Sequence, residues 1–134
     1  MPKSYVLKDL QDCELVHEVI LIDNCVEARS VDIVSICPKA RVFEQTQNIY
    51  VNPAWNLGVS EAVCELVAIC SDDINFDAPD IFGWVKNNKD GLGCIGVHPE
   101  SYSISRQYIE YDSNYYTGGG GWGCLLFFKK SNWI

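Results

Sequence analysis

Basic residues are scarce in this chain. Ten Lys and Arg stand against 18 Asp and Glu, a net charge of −8. A nucleic-acid groove neutralises phosphates with clustered Lys and Arg, so this balance argues against a nucleic-acid partner. A nucleotide ligand stays open, because bound metal and backbone N–H groups can neutralise a diphosphate. Long apolar runs are absent as well. None approaches the roughly 18 residues of a membrane span, and Met1-Pro2-Lys3 is not followed by the apolar stretch of a secretory signal. The expectation is a cytoplasmic protein with no transmembrane segment. The seven cysteines (Cys13, Cys25, Cys37, Cys64, Cys70, Cys94 and Cys124) contain no C-x-x-C pair. That spacing argues against zinc and fits buried thiols in a reducing compartment. No internal repeat is present.

What remains is a 134-residue chain, 48% hydrophobic and 21% charged. This is the composition of one globular domain long enough to bury a core without staples. Lys3–Gln11 carries a weak helical pattern. "EVILI" at 18–22 is a short β-branched run ending at Asp23-Asn24, a buried strand followed by a turn. Val31–Cys37 fits strand or helix and is stopped by Pro38. Arg41–Glu44 is a short strand, and Asn52-Pro53 opens a turn. Val59–Cys70 allows two readings: one buried helix, or a short helix over about Val59–Glu65 feeding a strand at Leu66–Cys70. Leu92–Val97 and Leu125–Phe128 are strand candidates, with a partly alternating aromatic stretch at 102–111 and a glycine loop at 118–121.

Two runs, "EVILI" and "LVAIC", are continuously apolar and end in acids. Such runs suit strands covered on both faces, as in parallel sheets. In open α/β sheets the ligand crevice lies beyond the carboxyl ends of the strands. Asp23 and the pair Asp72-Asp73 are thereby expected at the rim of one crevice.

"EVILIDN" followed by "NPAWNLGVSEAVCELVAICSDDINF" resembles the nucleotide-sugar-binding half of GT-A glycosyltransferases, most closely the inverting family 2. That family has an apolar strand ending in Asp-Asp or Asp-Asn. An Asn-x-Gly-[Ile/Val]-x-x-Ala helix start follows, then a strand ending in Asp-x-Asp. Asn56, Gly58, Val59 and Ala62 keep the helix pattern, and Asp73 falls 17 residues after Asn56. The resemblance implies an α/β fold of the Rossmann-like, nucleotide-diphospho-sugar transferase type, with a mainly parallel sheet flanked by helices. It selects the short helix and strand for 59–70. It also divides a single 1–134 domain into a nucleotide-sugar-binding half, 1–85, and an incomplete acceptor-side part, 86–134.

The resemblance implies roles too. Asp73, helped by Asp72, would hold Mn²⁺ or Mg²⁺ against the donor diphosphate. Hard oxygen ligands suit such ions, which offset charge on the leaving group. Asp23, Asn24, Asn56, Gly58 and Asp72 would contact the nucleotide-sugar donor. Asn56 and Gly58 would do so at a helix start whose N–H groups approach the diphosphate. Taken as residues alone, Asp23-Asn24 and Asn56-x-Gly58 are equally turn-formers. Trp122 and Gly121 are acceptor-loop candidates, the indole offering a face for a sugar. Asp112 and Glu100 are candidates for the base that takes the acceptor proton. Ser71 replaces the first acid of the motif. Before Glu18 there is room for the family's first helix but not its first strand, which predicts an open sheet edge and possible homo-oligomers. The expected activity is metal-assisted, inverting transfer of a sugar to a hydroxyl acceptor. The competing readings are a catalytically incomplete remnant that binds a nucleotide or protein, and an acidic inhibitor-type protein.

Overall fold

The computed structural model describes residues 2, 4–24, 32–72, 74, 76–88, 90, 92–97, 108–112 and 125–133. The chain divides into two compact units, Met1–Val63 and Cys64–Ile134.

The first unit runs α1 (Ser4–Asp12), β1 (Val19–Asp23), α2 (Ile33–Ile36), β2 (Ala40–Glu44) and α3 (Val51–Glu61). β1 and β2 pair in parallel, from Val19 opposite Ala40 to Asp23 opposite Glu44. The side-chain period of two sorts the pair into faces. Val19, Leu21, Ala40 and Val42 pack with Leu7 of α1 and with Ile33, Ile36 and Cys37. On the other face Ile22 meets α3, where a Cβ built on Gly58 would lie 3.8 Å from the Ile22 Cγ1. Helices on both faces are what a continuously apolar parallel strand requires.

α3 begins well before Val59, and Asn52-Pro53, expected as a turn, lies in its first turn. The first N–H groups of a helix have no intrahelical partner, so a proline there forfeits no bond. Its carboxyl end is held by side chains from the strands. Arg41 donates from Nη1 to the Glu61 carbonyl at 3.0 Å and from Nη2 to the Glu61 carboxylate at 3.2 Å. Glu18 accepts the Val63 N–H at 2.7 Å and pairs with Arg41 at 3.0 Å. A cation at the last carbonyls complements the helix dipole.

The second unit contains β3 (Leu66–Cys70), α4 (Ala78–Asn88), β4 (Leu92–Val97), β5 (Tyr108–Asp112), β6 (Leu125–Lys129) and a 3₁₀ turn at Lys130–Asn132. Its strands form one sheet in the order β3-β6-β4-β5, every pairing antiparallel. In α4 the buried positions Ala78, Ile81 and Val85 fall on one helical face. Asp77 caps that helix, accepting the Asp80 N–H at 2.9 Å. Phe82 meets Phe76 and Phe127 edge-on, with centroids 5.9 and 5.4 Å apart. Glu65 ties the start of β3 to the 3₁₀ turn, its carbonyl accepting the Lys130 N–H at 2.7 Å and its carboxylate the Ser131 N–H and hydroxyl.

The α/β character and the strand at Leu66–Cys70 agree with expectation. The mainly parallel sheet does not: among the described residues parallel pairing is confined to β1 and β2, and β3 lies antiparallel to β6. An apolar run signals burial but not direction. In β3 both Ala68 and Cys70 are exposed, so the strand is only partly covered, as antiparallel sheets allow.

Candidate functional site

The parallel pair places the carboxyl ends of β1 and β2 on one edge. Asp23 closes β1 and is buried at 8% exposure, with its carbonyl accepting the Gln45 N–H at 2.9 Å. Asn24 follows, and its side chain turns to the chain ahead of α3. Its Oδ1 accepts the Ile49 N–H at 3.2 Å, and its Nδ2 reaches the Tyr50 carbonyl at 3.5 Å, the long limit for such a bond. The Asn48 Oδ1 accepts the Tyr50 N–H at 2.7 Å. Tyr50 stands at φ 64° and ψ −178°, a region that tyrosine rarely enters. It is also 73% exposed, beside the exposed Val51. Sequence reasoning passed over Tyr50. The usable signal was Asn48, whose side chain commonly bonds the main chain two residues on.

Asn56 and Gly58 do not occupy a helix start. They are the sixth and eighth residues of α3, where N–H groups point along the axis to carbonyls four residues back. Their backbone N–H groups therefore lie beyond the open first turn of the helix. Asn56 presents an exposed side chain, while Gly58 faces Ile22 of β1.

In the second unit Ser71 and Asp72 follow the carboxyl end of β3, with Asp72 exposed. The Cys70 thiol donates to the Ser71 carbonyl at 3.3 Å. Asp112 closes β5, in register with Leu92. Asp73, Glu100, Gly121 and Trp122 lie outside the described residues. Among the described residues no three His, Cys, Asp or Glu side chains are grouped to hold a metal. An exposed carboxylate at a strand end is nonetheless a hard-oxygen donor of the kind Mg²⁺ or Mn²⁺ takes, such ions drawing their other ligands from phosphate and water.

The electrostatics of the first unit centre on Glu18. Burial raises its carboxyl pKa, but the Val63 N–H and the Arg41 guanidinium outweigh burial and the net shift is downward. Asp32, capping α2, is lowered by the Ser35 hydroxyl and N–H. Glu18 stands at the opposite end of β1 from Asp23, and Asp32 works as the N-cap of α2. Among the described residues no helix is long and apolar enough to cross a membrane.

No curated protein and no solved structure matches the chain. A family model described as Glycosyl transferase family 2 matches residues 6–131. The match spans both units and nearly every described element. It carries with it the GT-A, Rossmann-like α/β fold and, at the level of the family, glycosyltransferase function. The chain belongs to glycosyl transferase family 2.

Proposed function

We propose that the chain transfers a sugar from a nucleotide-sugar donor to a hydroxyl acceptor with inversion. The family match across residues 6–131 carries this reading. In the first unit, Asp23 at the carboxyl end of β1 contacts the donor's base or ribose, a position at which open α/β sheets take ligands. In the second unit, Asp72 and Asp73 hold Mn²⁺ or Mg²⁺ through hard carboxylate oxygens, Asp73 as the main ligand and Asp72 as its helper. When bound, the ion supplies Lewis-acid stabilisation of the departing nucleoside diphosphate. A carboxylate, Asp112 or Glu100, takes the acceptor hydroxyl proton as the new glycosidic bond forms. Trp122 and Gly121 contribute to the acceptor side, the indole stacking on a sugar face.

A thermal-shift screen of nucleoside diphosphates and nucleotide sugars, each with and without Mn²⁺, tests the reading. Site-specific binding raises apparent stability by mass action. The expected result is stabilisation that needs both nucleotide and Mn²⁺, abolished in Asp73→Ala and weakened less in Asp72→Ala. Undiminished stabilisation in Asp73→Ala would remove the metal role from this residue.

Ser71 in place of the motif's first acid favours a second reading, a domain that binds the donor without turning it over. Release of nucleoside diphosphate from a nucleotide sugar, followed over time, separates the two. Binding without release selects the second.

A further inference from the structure

Asn24 was expected to touch the donor. Its geometry assigns it other work. Both polar ends of its side chain are directed at the main chain ahead of α3: Oδ1 takes the Ile49 N–H at 3.2 Å, and Nδ2 faces the Tyr50 carbonyl at 3.5 Å. A carboxamide offers one acceptor oxygen and one NH₂ group, and here the two clasp consecutive residues. Between those contacts sits the one non-glycine residue with positive φ among the described residues, Tyr50 at φ 64°. The conformation has a use. It turns the Tyr50 carbonyl to accept the Ala54 N–H at 3.3 Å, the first bond of α3. An exposed tyrosine has no packing to hold it in such a region, so hydrogen bonds must. Asn48 supplies one, to the Tyr50 N–H. Asn24, from the end of β1, supplies the clasp that is non-local in sequence.

We infer that Asn24 is a positioning residue. It locks the 48–50 turn, and through that turn sets how α3 begins at the carboxyl-end edge of β1 and β2. It influences donor binding at that edge through Tyr50, without touching the donor. The inference rests on the donor reading above for its effect on affinity, but the lock itself does not.

Glycine adopts positive φ at no steric cost, so Tyr50→Gly should make the clasp dispensable. The test is a double-mutant cycle of Asn24→Ala and Tyr50→Gly with two readouts. The first is hydrogen exchange at the Ala54 amide, which needs no ligand. The second is affinity for the nucleoside diphosphate that most stabilises the parent chain in Mn²⁺. With Tyr50 present, Asn24→Ala should lower Ala54 protection and weaken affinity by about tenfold, the scale of one lost hydrogen bond. In the Tyr50→Gly background the same substitution should cost less than about twofold in both, since interacting residues are non-additive. If Asn24→Ala weakens affinity equally in both backgrounds and leaves Ala54 protection unchanged, Asn24 contacts the donor and the inference is overturned. If no nucleoside diphosphate binds the parent chain while the exchange cycle behaves as stated, the lock stands and the donor reading falls.

Discussion

Glu18 shows how one side chain can join three elements. It stands just ahead of β1, pairs with Arg41 of β2 and takes the Val63 N–H beyond α3. Its side chain is 14% exposed, whereas those of Arg41 and Glu61 are 42% and 39% exposed. The exposed Arg41–Glu61 contact is screened by solvent and contributes little. The stabilisation resides in the bonds to Glu18, and Glu18→Ala should cost about 1–2 kcal/mol. Because the folded-state pKa is depressed, the contribution is fully present above the unfolded value of about 4.3 and is lost as pH falls through the lower folded value. Melting curves of the parent and of Glu18→Gln should therefore differ most near neutral pH and converge once the pH has fallen below the depressed folded-state value. A gap that persists at low pH would mean the carboxylate charge is not what stabilises.

At the scale of elements, α3 separates what was legible in the sequence from what was not. Gly58 lies within it, and a methyl group there would make only an ordinary 3.8 Å contact with Ile22. Ala is favoured over Gly inside a helix by about 0.8–1.0 kcal/mol. Gly58→Ala should raise stability by somewhat less than that and leave nucleotide binding unchanged, as read by denaturant midpoints and thermal shift. Loss of binding would return Gly58 to a direct role. The strands at 19–23, 66–70 and 125–129 were legible as apolar runs, because burial is written into side-chain type, and the one at 40–44 as a short strand candidate over Arg41–Glu44. The start of α3 was not, because Asn52-Pro53 is compatible both with a turn and with a first helical turn, and only the packing on Ile22 decides. The direction of β3 was not either, since its partner β6 lies more than fifty residues away and an apolar run names no partner. Of the site, the end of β1 at Asp23-Asn24 was legible, as was the position of Asp72 after β3. The clasp on Tyr50 was not, because Asn24 reaches it across 26 residues of sequence and Asn48 signals only the local bond.

Among the described residues, each of the two units buries its own set of apolar side chains. One gathers around Leu7, Ile33, Cys37 and Ala40. The other includes Ile81, Val85, Leu125 and Phe127 in the unit Cys64–Ile134. Cys37 is fully buried, and burial pushes its thiol pKa up despite the nearby Lys39. Thiolate is the reactive form, so Cys37 is doubly shielded from alkylation, by access and by protonation. Cys70, by contrast, is exposed at the end of β3. The two thiols thus form a chemical clock with its own reference. In timed iodoacetamide labelling read by mass spectrometry, Cys70 should mark immediate access, while the half-life of Cys37 measures how often the first core opens. Phe127→Ala, which empties part of the second core, should leave the Cys37 half-life nearly unchanged, whereas Leu7→Ala should shorten it many-fold. Equal shortening by both substitutions would show instead that the chain opens as one cooperative body, so that each unit depends on the other's interior for its lifetime.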